Sequence, residues 1–322
     1  MGGMRFVRSV GDVATACFMG AISGLADLSG VALLLFPELG ALSYDVIRRP
    51  HGAWASAPGM LILTPFLTGL VGTVTTRNLP YGLLSIAIVV VSAIVIIRLL
   101  HSPIAPAIAA GLLPLTLGQP SWWYAPSLLV GSSLLAGIAM IRRRLHGQPA
   151  QDPAARDQAK ASSHPAEQDA TWLPFFAVFL ALAASGAALT GVRFMLFPPL
   201  VVIGFEMFAH FEKCPWSPHP ILIPVICGIT ATASLLMVDW LGTGTLVVAL
   251  SVLFSACVVR SFKLHFPPAI AVGLLPFVID KPDFRYPVAV IAGAMLLSIV
   301  FLLWRRRQHR QTEKSPCGAT TR

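Results

Sequence analysis

Charge is scarce in this chain. Only 11% of its 322 residues are Asp, Glu, Lys or Arg, against roughly 25% in an ordinary soluble domain. Long stretches carry none: between Arg49 and Arg77, Arg77 and Arg98, Arg98 and Arg142, and again between Asp169 and Arg193, Lys213 and Asp239, Asp239 and Arg260, and Arg285 and Arg305. A water-exposed fold cannot hide so much uncharged surface. The five cysteines, Cys17, Cys214, Cys227, Cys257 and Cys317, form no CxxC pair, so neither a zinc site nor a disulfide framework is indicated. No Walker loop, dinucleotide fingerprint, zinc-binding helix or nucleophile–base–acid grouping is visible. Nothing points to an enzyme, a resident metal or a cofactor.

What is abundant is apolar length. The chain is 56% hydrophobic and its mean hydropathy is +0.76. About 17–25 apolar residues cross a hydrocarbon core, and most of the charge-free intervals fit one crossing each. β-branched runs such as Tyr81 to Ile97 read as helix, because in lipid the backbone must satisfy itself. The net charge of +9 would suggest nucleic acid in a soluble domain. Here the basic residues crowd span ends, as in Arg142-Arg143-Arg144 and Arg305-Arg306-Arg307, the pattern that orients a membrane protein. The bilayer is the expected partner, and nucleic acid is not; the same architecture admits a homo-oligomer.

The chain also repeats itself. PAIAAGLLP from Pro106 to Pro114 differs from PAIAVGLLP, Pro268 to Pro276, only at Ala110 against Val272. Without a gap, Arg98 falls opposite Arg260, Pro120 opposite Pro282, Tyr124 opposite Tyr286, Gly131 opposite Gly293 and Arg143 opposite Arg305. Further back, GVALLLFP at Gly30 to Pro37 meets GVRFMLFP at Gly191 to Pro198, with Asp45 facing Glu206. Such self-similarity marks a duplicated unit. The domains read as 1–144, a first membrane repeat; 145–170, a polar, disordered cytoplasmic linker; 171–304, a second repeat; and 305–322, a basic cytoplasmic tail.

Spans are expected near Val13 to Leu28, Pro58 to Thr75, Tyr81 to Ile97 and from Trp122 to the Arg142 cluster, then near Trp172 to Thr190, Pro218 to Val238, Leu241 to Val259 and Tyr286 to Leu303. Glu38 to Ala57 reads as a loop. The fold class is all-α: a polytopic membrane protein with about eight transmembrane helices in two parallel four-helix repeats, plus short re-entrant or half-helix segments. Placing both termini, and Arg77, on the cytoplasmic side leaves the larger share of the 23 Lys and Arg there.

Each repeat holds a short apolar segment opened by proline, which suits a helix start because its missing N–H would be an orphan anyway. Pro103 or Pro106, and Pro267 or Pro268, mark those starts. A helix begun inside the membrane presents unpaired N–H groups and positive partial charge, a site for a small anion. Arg98 with His101, and Arg260 with Lys263 and His265, would add to that field. The same prolines and arginines also serve as packing kinks and interfacial anchors, and both readings stand at this level. Asp45 and Glu206 read as solvated caps, with proton relay the alternative. Arg193, unpaired in a short apolar segment, is either a functional charge or an interfacial one.

At LHFPPAIAVGLLP the chain resembles the HPP family of integral membrane proteins. Those are built on a His-Pro-Pro motif leading into small residues and Leu-Leu, within a unit of about four spans. Here Phe266 separates His265 from Pro267-Pro268, and only Pro106 of the pair survives in the first half. The resemblance covers both halves, implying a double-length member. The family's plant plastid members are credited with moving nitrite, so the resemblance implies a membrane transporter or channel for a small inorganic anion, in a bacterial inner membrane. The substrate-binding set would be Arg98, His101, Pro106, Arg193, Arg260, His265, Pro267 and Pro268. A non-transporting scaffold or sensor subunit is the rival.

Overall fold

Proline sets where the short helices begin. In the computed structural model the described residues are 2–145 and 170–314, and their regular structure is entirely helical, in twelve α-helices. The first half holds α1 (Gly2–Ser29), α2 (Pro37–Arg48), α3 (Pro58–Asn78), α4 (Leu83–Leu99), α5 (Ala107–Leu117) and α6 (Tyr124–Leu145). The second holds α7 (Leu173–Thr190), α8 (Pro198–Ala209), α9 (Leu222–Leu241), α10 (Thr245–Ser261), α11 (Pro268–Leu274, continued as a 3-10 turn over Leu275–Phe277) and α12 (Arg285–Lys314). Pro37 opens α2, Pro198 opens α8, Pro106 caps α5 and Pro268 opens α11. The expected linker lies, apart from its two ends, outside the described residues. α12 runs unbroken through the Arg305 cluster as far as Lys314.

α3, α6, α7, α9 and α12 are each long and apolar enough to cross a membrane. Their outward faces are oily, with Leu134, Ile141, Val178, Leu182, Ile299 and Leu303 all exposed, as a lipid-facing surface requires. The short helices are the reverse. Every residue of α2 from Pro37 to Ile47 is buried, as is α5 from Ala107 to Thr116 and the whole of α11, and in α8 only Glu206 is not. A helix covered on all sides belongs inside a bundle. Short helices are tolerated there because surrounding protein, not lipid, meets their ends.

α2 corrects the loop reading of residues 38–57. Its polar letters obscured it: Glu38, Ser43 and Asp45 are all buried, and Arg48 and Arg49 are tied back to acids. Asp45 and Glu206 are therefore helical residues, on α2 and α8. The solvated-cap reading does not hold for Asp45, which is 1% exposed.

The halves interlock. α1 packs along α10, α2 against α11, and α5 against α8, each pair crossing from one half to the other. Between two protein surfaces in lipid, close packing replaces water exclusion as the main attraction, and glycine permits the nearest approach. A Cβ on Gly72 of α3 would lie 1.8 Å from the Gly111 carbonyl of α5. Only Gly fits.

Inter-helix contacts sort the chain reversals into two ends. At one end Arg48 meets Asp12, Arg260 meets Asp12, His265 meets Asp45, and Arg143 donates to the Ser56 carbonyl at 3.4 Å. At the other, Arg77 donates to the Pro120 carbonyl at 2.8 Å and Tyr81 to the Arg193 carbonyl at 3.4 Å. Arg77 thus sits opposite the start of α3, not at the end that carries Arg48. That differs from the expected placement of Arg77 beside the termini, because α2 runs back alongside α1 and adds a reversal.

Candidate functional site

The last turn of α2 gathers the polar side chains. Residues four apart share a helix face, so Tyr44 lies beside Arg48 and Asp45 beside Arg49. The Arg48 guanidinium stands 4.6 Å over the Tyr44 ring and is hydrogen-bonded to its hydroxyl. Arg48 Nη1 also donates to Asp12 Oδ1 of α1 at 2.9 Å. Asp12, 6% exposed, accepts a second bond from Arg260 at the end of α10. Arg49 Nε donates to Asp45 Oδ1 at 2.7 Å. The same oxygen lies 2.8 Å from His265 Nε2, whose ring stacks on Tyr44 with centroids 6.1 Å apart. Two carboxylates of the first half are thus each bound to a cation of their own half and to a basic side chain of the other.

The second half builds the same junction in weaker form. Glu206 on α8 lies 3.2 Å from His210 Nδ1, which packs edge-on against Phe205. Arg98 from α4 and Lys213 are near enough to act on His210 by charge. Burial opposes the charged imidazole, but the Glu206 hydrogen bond and charge outweigh it and hold the His210 pKa above its ordinary value. Where the first junction has Asp12, Arg48 and His265, the repeat puts Leu173, Ala209 and Pro103.

The turns after α4 and α10 match closely. His101 (φ 47°) and Lys263 (φ 54°) both take left-handed backbone, a conformation that favours glycine. Both close a Schellman-type turn, with Ser102 N–H donating to the Ile97 carbonyl at 2.9 Å and Leu264 N–H to that of Val259 at 3.3 Å. His101 and Lys263 are exposed, as is Arg98.

Beyond those turns, the first N–H groups of the inner helices are already used. Ala107 and Ile108 donate to Ile104 and Ala105, and Ala269 and Ile270 to Phe266 and Pro267. The expectation that backbone groups after Pro106 and Pro268 stand open for an anion therefore needs correcting. Tight turns leading into both helices consume them. Pro106, Pro267 and Pro268 are buried, and what remains for an anion at this end is side-chain charge.

Proline acts a second time deeper in. Pro114 and Pro276 carry no N–H, so the carbonyls four residues back lose their helical partner. Tyr124 donates its hydroxyl to the Ala110 carbonyl at 2.7 Å, and Tyr286 to that of Val272 at 2.6 Å. A buried carbonyl is seldom left unpaired, and the phenol supplies the missing bond identically in both halves.

Arg193 is not with the other candidates. It stacks 5.0 Å over Tyr81 and lies so close to Gly118, the left-handed cap of α5, that a Cβ there would meet its Nη1 at 2.6 Å. It lines a separate cavity of about 320 Å³ with Gln119, Asp280, Lys281 and Arg285 at the opposite end. The structure therefore brings Arg260, His265, Pro267 and Pro268 together at one junction, Arg98, His101 and Pro106 at the other, and leaves Arg193 apart. Asp12, Tyr44 and Arg48 were not expected. The four-residue spacing of Tyr44 and Arg48 is their only local sign, hidden in a stretch read as loop, and Asp12, on α1 just ahead of the first expected span, has none. Among the described residues no three His, Cys, Asp or Glu side chains converge as a metal site.

No family model, curated protein or solved structure matches the chain.

Proposed function

We propose that this chain is a carrier or channel for a small inorganic anion, nitrite being the class that the HPP resemblance implies. The observation that carries the reading is the first junction. Arg48, Arg49, Arg260 and His265 surround only two carboxylates, with the exposed Lys263 beside them. That surplus of cations, where α11 enters the bundle, suits an arriving anion that exchanges with Asp12 or Asp45. The second junction offers Arg98, His101 and His210 in the same role. In this reading α1, α3, α4, α6, α7, α9, α10 and α12 are eight spans in two parallel repeats, and the buried short helices line the route between them.

The same proposal puts the chain in a bacterial inner membrane with both termini cytoplasmic. Charge supports that orientation: among the described residues Arg77, Arg193, Lys281 and Arg285 lie at one end. Arg48, Arg49, Arg98, Lys213, Arg260, Lys263 and the clusters at Arg142 and Arg305 lie at the other. The test is uptake of nitrite, nitrate and chloride into proteoliposomes. Arg260→Ala and Arg98→Ala should each lower uptake severalfold. A wild-type protein that moves none of them ends the proposal.

One observation favours a non-transporting scaffold instead. Arg260 and His265 are already held by carboxylates of the other half, as latches would be. In that case the wild-type protein moves none of the three anions, they leave its thermal unfolding midpoint unmoved, and Arg260→Ala lowers that midpoint.

A further inference from the structure

Glu38 stands out from everything around it. It follows Pro37 in the first turn of α2, is 2% exposed, and neither carboxyl oxygen has a hydrogen-bond partner among the described residues. The elements packed on α2 offer it no counter-charge. α5 and α11 contain no titratable residue. From α6 it faces Tyr124, whose hydroxyl is donated to Ala110. On α1, Asp12 is engaged with Arg48 at the far end of α2, while Cys17 and Asp27 are exposed.

An ionised carboxylate buried without a partner costs several kcal/mol in practice, whereas the neutral acid loses only the much smaller penalty of an unpaired polar group. A purely structural position would carry an apolar residue, and the repeat places Pro199 there. The setting is also one that can change. α2 itself lies on the seam: two residues on, a Cβ at Gly40 would lie 2.3 Å from Leu274 of α11, while Glu38, on the other side of the helix, faces α6. Movement of α2 at that seam would carry Glu38 along the face of α6.

We propose that Glu38 is a proton-binding site that couples anion movement to a proton gradient. On uptake an O–H bond forms at one Glu38 oxygen with a proton from one face; on release it breaks and the proton leaves to the other. No electrons move, and one proton accompanies each anion. The coupling rests on the carrier reading; the bound proton does not.

The two are separable by experiment. Infrared spectroscopy of the purified protein at neutral pH should show a protonated-carboxyl C=O band, shifted in heavy water and missing in Glu38→Gln. In nitrite-loaded proteoliposome assays, a gradient of about one pH unit drives about tenfold accumulation at one proton per anion. Glu38→Gln should lose that accumulation, and its remaining flux should no longer vary with pH. Should the glutamine variant misfold, Glu38→Asp should shift the band without removing it. A band identical in wild type and Glu38→Gln overturns the proton site, and gradient-driven accumulation surviving in Glu38→Gln overturns the coupling. Wild-type protein with no flux ends the carrier reading, while the infrared band still decides whether Glu38 holds a proton.

Discussion

The two ionic junctions stand at matching positions of the two halves of the sequence and differ in their partners. In the first, Asp12 and Asp45 bind Arg48 and Arg49 of their own half and Arg260 and His265 across the seam. In the second, Glu206 keeps His210 with Arg98 nearby, while leucine, alanine and proline occupy the places of Asp12, Arg48 and His265. The tyrosine–carbonyl bonds, by contrast, are the same in both halves. An ion pair can be present in one half and absent from the other, but an orphaned buried carbonyl must be satisfied wherever a proline creates it.

The strongest way to break that comparison is Asp12→Ala. It strands Arg48 and Arg260 together and should cost about 3 kcal/mol or more, as removing one member of a buried ion pair does. Glu206→Ala, with one partner that is half exposed, should cost less than about 1 kcal/mol. Thermal unfolding in detergent separates the two, and equal losses would show the junctions to be equivalent after all.

Next in size is a swap of small residues. Gly72 faces Gly111, and the repeat has Ser234 near Gly273, where Ser251 bonds both Ser234 and the Gly273 carbonyl. Gly72→Ser should overpack the first half by about 1–3 kcal/mol. Ser234→Gly should cost only about 1 kcal/mol for the lost hydrogen bond.

Tyr124→Phe and Tyr286→Phe should each cost about 1–3 kcal/mol, since each leaves a buried carbonyl unpaired, and the two losses should match. The smallest effect is that of pH at the second junction. Because the folded His210 pKa is raised, its charged form contributes stability that is full below the ordinary imidazole value and is lost as pH rises through the folded one. The unfolding midpoint should decline slightly across that window, and Glu206→Gln should flatten the decline.

Much of the architecture was legible because lipid leaves marks in sequence. The charge-free intervals found the helices of the rim, and the repeated PAIAxGLLP found the inner pair, with Pro106 and Pro268 at their starts. α2 was not legible. A helix surrounded by protein is free of the demand for apolar residues, so Glu38, Asp45 and Arg48 disguised it as a loop. The junction was hidden for another reason: Arg260 finds its acid 248 residues away, and no local pattern announces such a partner. The inner N–H groups were misjudged because proline marks a helix start without revealing whether the preceding turn has already claimed the donors.

The phenol that stands in for a missing amide also restricts how the protein can move. Sliding α5 past α6, or α11 past α12, would break a short bond to a buried carbonyl, so each inner helix is tied to its outer neighbour at that point. Among the described residues, the seams where α2 meets α11 and α5 meets α8 carry no such tie, and a relative shift of the halves there would leave both phenol bonds whole.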